Sequence, residues 1–199
     1  MDGAASRLTV SAIEGRLNGR PPVARPRSGG LTAAAVLVLL AETPEGVQVL
    51  LTERSHGVRD HKGQVALPGG AIEAGDADET SAAIREAVEE VGLDPSRLRV
   101  IGRLDDYVTV TGYHVTPIVG VLPSFEGLGP RTDEITEVFA FPLDWIGDPG
   151  RVQTVPGSLF GRDEDILFVP CEGHMVWGAT ARILKQFVEL LSAWSGASR

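Results

Sequence analysis

The sequence predicts an α/β fold in which a mixed β-sheet carries α-helices on both faces. Three observations predict it. Ala33 to Leu40 is an unbroken apolar run of strand length. Thr43-Pro44-Glu45-Gly46 has turn chemistry and leads into a second strand-like run, Val47 to Thr52. Residues 79–91 and 177–194 keep apolar side chains at helical spacing. A continuous apolar strand belongs inside a sheet that is covered on both sides. A tight turn between two strands makes them antiparallel neighbours, and strands interleaved with helices add parallel pairing.

Taken in order, residues 7–18 place Leu8, Val10, Ile13 and Leu17 on one side of a short amphipathic helix. Asn18 to Gly30 is rich in proline and glycine and reads as an irregular connection. The hairpin of Ala33 to Thr52 follows. Leu67-Pro68-Gly69-Gly70 reads as a glycine-rich loop before the helix from Glu79 to Val91, and Gly92 stands where a C′ glycine would end that helix. Leu98 to Leu104, Tyr107 to Val110 and Val115 to Leu122 read as further strands, and Ser124 to Thr132 as a loop. Val138 to Ile146 is apolar around Pro142, and Trp177 to Trp194 reads as a long terminal amphipathic helix. The expected organisation is an N-terminal helix and connection, residues 1–30, packed on one domain of residues 31–195.

Composition bounds the function. The chain has 199 residues, 43% of them hydrophobic, and a formal net charge of -9 from 27 acidic and 18 basic residues. Such a surface repels nucleic-acid backbones and anionic membranes, so neither is an expected partner. Cys171 is the single cysteine, which excludes an intramolecular disulfide framework and fits a reducing compartment. Met1 to Arg20 has no signal-peptide h-region, and the apolar run Leu31 to Ala41 is shorter than the ~20 residues of a membrane span. The expected location is cytoplasmic.

The helix of residues 79–91 is the most informative segment. At ~100° per residue, Glu86, Glu89 and Glu90 share one sector, while Ile84, Ala87, Val88 and Val91 lie on the other side. One face suits a core; the other gathers three carboxylates. Like charges that close raise one another's pKa and cost stability unless a cation neutralises them. Carboxylate oxygens are hard ligands, suited to Mg²⁺ or Mn²⁺. A solvated acidic face is the competing explanation. The Pro68-Gly69-Gly70 run favours a ligand site, because glycines allow close backbone approach. Asp76 is positioned to pair with Arg85.

Gly70 to Leu93 resembles the Nudix box, G-x5-E-x7-R-E-U-x-E-E-x-G-U with U apolar. Here Asp76 replaces the first Glu, and eight residues separate it from Arg85. Both departures occur together in one branch, the coenzyme A pyrophosphatases. The same branch carries L-L-T-x-R-S-x3-R-x3-G-x3-F-P-G-G upstream. Leu50-Leu51-Thr52-Glu53-Arg54-Ser55, Arg59, Gly63 and Leu67-Pro68-Gly69-Gly70 match those spacings, with Leu67 in place of Phe. Glu137-Val138-Phe139 with Pro142-Leu143, and Trp177 to Arg182, also resemble that branch.

The resemblance implies a Nudix fold and Mg²⁺- or Mn²⁺-dependent hydrolysis of the pyrophosphate of coenzyme A or its derivatives, giving adenosine 3′,5′-bisphosphate and 4′-phosphopantetheine or its acyl form. It implies metal binding by Glu86, Glu89 and Glu90, with Glu86 and Glu90 favoured because i and i+4 share a face most closely. The Gly70 carbonyl is a further candidate ligand. Arg85 takes a structural and electrostatic role beside Asp76. For the general base, Glu89 competes with a downstream acid, Glu134 or Glu137. Arg54, Arg59 and Lys62 form a basic group suited to the substrate's extra phosphate, with Gly69 beside them; ordinary surface charges, with Arg54 paired to an acid, are the alternative. His56 and His61 lie in the same stretch and read as surface residues, with phosphate contact as the alternative; His114 and His174 show no partner in the sequence, and Trp177 and Trp194 read as helix packing. Another specificity within the family, for ADP-ribose or NADH, and a non-catalytic ligand-binding module remain as rivals. Oligomeric state stays open, with a homodimer as the candidate.

Overall fold

The computed structural model describes residues 8–25, 29–55, 63–160 and 165–193. Helix α1 (Val10–Asn18) is capped by Thr9, whose hydroxyl accepts from the Ala12 amide at 3.2 Å. Strands β1 (Thr32–Thr43) and β2 (Gly46–Arg54) form the expected hairpin, closing on the Thr43–Gly46 pair. Short strands β3 (Val65–Ala66) and β4 (Gly69–Ala71) precede helix α2 (Glu79–Val91). Then come β5 (Arg99–Arg103), β6 (Tyr107–Val108), β7 (Tyr113–Val121) and β8 (Ile135–Pro142). The chain closes through β9 (Gln153–Val155), β10 (Ile166–Cys171), β11 (His174–Trp177) and α3 (Gly178–Ala193).

The main sheet runs β3-β2-β1-β7-β5, with β4 joined to β1, β6 to β7 and β8 to β2. β1 pairs parallel with β7 and antiparallel with β2, so the sheet is mixed. Alternation along β1 builds a core on each face. Ala35, Leu37 and Leu39 meet Ala82, Ala83, Ala87 and Val91 of α2. Ala34, Val38 and Leu40 enter the opposite core with Ile13 of α1 and Leu184 and Phe187 of α3. β2 alternates in step: Leu50 faces α2, whereas Val49 and Leu51 face α3. One-residue slippage would reverse both faces at once, which fixes the register.

Four expectations are corrected. Gly69 and Gly70 are not loop but the short strand β4, pairing with Val36 and Ala35 of β1. Val88 is exposed at 39%, because the stripe that faces the core runs through Ala83, Ala87 and Val91. Trp177 ends β11 and stacks on Phe168 across the β10–β11 hairpin instead of joining the terminal helix. The antiparallel sheet β11-β10-β9 was not foreseen; its strands are short, and Pro170 interrupts the apolar run of β10. Trp194, His56 and His61 lie outside the described residues.

His114 and Asp106 are both 3% exposed, and His114 Nε2 lies 3.0 Å from Asp106 Oδ2. Asp106 also accepts from Arg103, from the Thr116 hydroxyl and from the Arg25 amide. This buried carboxylate ties the N-terminal connection to the sheet. Buried charge is tolerated there because its oxygens are satisfied.

Candidate functional site

Helix α2 begins on a capping box: the Asp78 carboxylate accepts from the Ser81 amide at 2.7 Å, and Ser81 Oγ accepts from the Asp78 amide at 2.9 Å. It ends at Gly92, whose φ of 73° requires glycine. The segment of residues 124–132 then seals the last turn. The Gly129 amide donates to Val91 O and the Arg131 amide to Glu90 O, at 3.1 and 3.0 Å. The carboxylate-bearing face is therefore held at both ends.

Pairing of β4 with β1 brings Gly69 and Gly70 against that face. A β-carbon at Gly69 would fall 2.6 Å from Val36 Cα, and one at Gly70 would fall 2.6 Å from the Glu86 carboxylate carbon. At Gly69 the β1 backbone blocks any side chain, whereas a side chain at Gly70 would displace the Glu86 carboxylate. The Gly69 amide donates to Glu90 Oε2 at 3.1 Å. Glu86 and Glu90 thus converge on the glycine pair, with side chains 17% and 12% exposed, while Glu89 points outward at 54%.

Arg85 joins the loop to the helix. Its Nε and Nη2 donate to the two oxygens of Asp76 at 3.0 and 3.1 Å, and Nη2 also donates to Ala71 O at 3.2 Å. Nη1 reaches Glu86 Oε1 at 3.0 Å and Glu89 Oε2 at 3.4 Å. Arg54 approaches from β2: Nη2 pairs with Glu134 at 2.8 Å and Nη1 lies 4.0 Å from Glu90 Oε1. Its Nε is buried without an acceptor among the described residues.

Electrostatics follow from this geometry. Burial pushes the Glu90 carboxyl up to about 7; the Gly69 amide opposes the shift, and the Glu86 charge adds to it. Burial also raises Glu86, against the pull of Arg85. The Arg85 hydrogen bonds hold Asp76 below the ordinary carboxylate range, and Asp76 in turn raises Arg85. Two half-buried carboxylates of raised pKa, seated against the Gly69–Gly70 backbone, offer hard oxygen ligands that fit a divalent cation, which would favour their charged forms.

Glu86, Glu90, Gly69, Gly70, Arg85 and Arg54 therefore come together, whereas Glu89 meets this group through Arg85 Nη1 at 3.4 Å and does not converge on the glycines. Glu137 does not join them. It pairs with Glu53 in the β2–β8 register, on the face that sends Leu51, Phe139 and Phe141 toward α3. There it meets His174, whose Nε2 lies 3.5 Å from Glu137 Oε1 and whose Nδ1 lies 2.6 Å from Glu53 Oε2. Strand alternation separates it from the α2 carboxylates, so the downstream acid beside Glu90 is Glu134. Arg59 and Lys62 lie outside the described residues. Sequence reading missed the partners of His174. The Glu172-Gly173 turn between apolar runs signals a hairpin, but nothing local shows that its first residue reaches β2.

Comparison with known proteins agrees with this layout. The family model described as NUDIX domain matches residues 31–159. A Nudix hydrolase named NudL from Salmonella dublin, described as uncharacterized, is 36% identical over 181 residues, covering 91% of this chain and 94% of its own. A relative of the same name from Salmonella newport matches equally. Among solved structures, the Nudix hydrolase RenU of M. smegmatis superposes with a TM-score of 0.50 at 26% identity, over 63% of this chain and 81% of that one. The NUDIX domain of Shewanella oneidensis NrtR, complexed with ADP ribose, gives 0.52 at 16% identity over 92% and 99%, a likeness of fold alone.

Proposed function

The chain belongs to the Nudix family of hydrolases, and on that premise we propose that it hydrolyses the pyrophosphate bond of coenzyme A or its derivatives, with Mg²⁺ or Mn²⁺ as cofactor. The products would be adenosine 3′,5′-bisphosphate and 4′-phosphopantetheine or its acyl form. The observation that carries the chemistry is the seating of Glu86 and Glu90 on Gly70 and Gly69. It brings two separate sequence motifs into one donor group. The choice of coenzyme A rests on the resemblance of residues 50–70 to that branch of the family.

When bound, the cation shields the negative phosphate oxygens and lowers the pKa of an attacking water. Glu86, Glu90 and the Gly70 carbonyl would hold it. Glu89, exposed and paired with Arg85 at 3.4 Å, would serve as the general base, and Glu134 is the downstream alternative. Arg85 positions Glu86 and keeps the Asp76 loop against the helix. Arg54 shares its guanidinium between Glu134 and Glu90, so a phosphate that displaced Glu134 would gain a charge-assisted partner at the metal site. Arg59 and Lys62 extend this basic group in sequence. Among the described residues no helix is long and apolar enough to cross a membrane. Cys171 is the single cysteine and is buried, which fits the cytoplasmic location we propose.

Product analysis after incubation with coenzyme A, ADP-ribose or NADH, each with Mg²⁺ or Mn²⁺, tests the substrate. Release of 4′-phosphopantetheine is the expected result. Turnover of ADP-ribose or NADH without cleavage of coenzyme A would overturn it.

A further inference from the structure

Glu53, Glu137 and His174 form a second group of candidate ligands, independent of the α2 carboxylates. Glu53 and Glu137 are direct cross-strand neighbours in the β2–β8 register. Like charges placed opposite one another on a sheet are destabilising. His174 reaches them from β11, a strand of the other sheet. Its ring stacks on Phe139 with centroids 4.0 Å apart and planes 8° from parallel, which fixes the imidazole's orientation. One ligand atom from each of the three residues lies within 4.8 Å of the others. His174 is 11% exposed and Glu53 24%, whereas Glu137 is 55% exposed and leaves an approach from solvent.

We propose that His174 and Glu137, with Glu53 holding the imidazole from behind, bind a divalent transition-metal ion of the class that accepts imidazole, Zn²⁺ foremost. His174 Nδ1 lies 2.6 Å from the Glu53 carboxylate, so in the neutral ring that a metal takes, Nδ1–H would donate to Glu53 and leave the lone pair on Nε2, on the side of Glu137. A carboxylate behind a ligating histidine is the arrangement that fixes tautomer and ring angle at protein metal sites. The separation of Nε2 from Glu137 Oε1, 3.5 Å, is close to the ~3.4 Å edge of a tetrahedron with bonds of about 2.0–2.1 Å. Nε2 and Glu137 are the direct ligands, Glu53 holds the ring, and water fills the open positions. A nitrogen donor separates this site from the all-oxygen set on α2, which suits Mg²⁺. Bound metal would neutralise the carboxylate pair and fasten β11 to β2 and β8. The site does not depend on the substrate proposed above.

Long-range ¹H–¹⁵N spectra of the His174 ring in the full-length protein, recorded with Mg²⁺ in excess and titrated with ZnCl₂, test it directly. The Nε2 resonance should move to a metal-bound position while Nδ1 stays protonated. Glu137→Gln, at an exposed position that leaves the core untouched, should weaken the response at least tenfold, and Glu53→Gln should weaken it by roughly 10–100-fold. An Nε2 signal that is unmoved by excess Zn²⁺, or that titrates identically in Glu137→Gln, would overturn the proposal. The three residues would then be a hydrogen-bonded strut only.

Discussion

The Gly69 amide donates its hydrogen to Glu90 Oε2 at 3.1 Å, across 21 positions of sequence. This contact joins a strand edge to a helix face, and it makes backbone placement part of the site's electrostatics. An amide dipole is directed at a carboxylate that burial pushes toward neutrality.

Gly70→Ala inserts a methyl where the Glu86 carboxylate sits. Either the carboxylate swings away or β4 shifts on β1. Overpacking of this kind costs about 1–3 kcal/mol. We expect the fold to persist while Mg²⁺ affinity and kcat/KM fall by at least tenfold. Equilibrium metal titration and initial-rate kinetics check this; wild-type values would show that Glu86 does not need the cradle.

Glu90 sets a pH dependence in the metal-free protein. Its folded carboxyl titrates at about 7 against an ordinary 4.5, so the folded state holds the proton more tightly than the unfolded chain. The contribution of Glu90 to stability is therefore fully present below about pH 4.5 and is lost as pH rises through about 7, by on the order of 3 kcal/mol. Tm measured in EDTA between about pH 5 and 8 should fall for the wild type. Glu90→Gln, a neutral isostere, should flatten most of the slope and abolish turnover with the fold intact. Glu86 is raised too, so a shallow slope remains. Equal slopes in both proteins would refute the assignment.

Mg²⁺ should reverse that trend. A cation that binds only deprotonated glutamates competes with the proton, so affinity rises with pH up to about 7 and then levels. Calorimetric titrations at several pH values, in buffers of different ionisation enthalpy, would count the protons released. Zero release near neutrality would exclude Glu90 from the donor set.

Arg85 holds Asp76 with two parallel hydrogen bonds. Lysine cannot reproduce that fork. Arg85→Lys should resemble Arg85→Ala, each losing tenfold or more in kcat/KM. Asp76 is held below the ordinary carboxylate range, so its contribution is present at neutral pH and lost as pH falls through that lowered value. The variants should lose this acid limb in thermal scans. Full rescue by lysine would reduce the role of Arg85 to that of a point charge.

Local pattern carried much of this fold. The α2 boundaries follow from periodicity and Gly92, and the central position of β1 follows from its unbroken apolar run. The helix face bearing Glu86 and Glu90 was legible for the same reason. What escaped depends on pairing between distant segments. The glycine run looks like loop until β1 recruits it as a strand. Glu137 looks available to the α2 carboxylates until strand alternation turns it toward His174. Val88 has the apolar character of a core residue, but alanines on the neighbouring stripe let α2 sit close to the sheet and leave Val88 at its solvent edge.

The segment between β7 and β8 has a further consequence for how such chains can diverge. Amides of Gly129 and Arg131 grip the carbonyls of Val91 and Glu90, and three residues beyond Arg131 the same segment delivers Glu134 to Arg54. Its length is therefore set at two ends by the same carboxylate cluster. Insertions should be tolerated between Val110 and Thr111, short of Gly112, whose carbonyl accepts from the Thr32 amide at 2.9 Å. Within residues 127–134, adding or deleting a single residue would shift the register between the helix terminus and Glu134, so this stretch should keep its length and Glu134 while its other side chains vary.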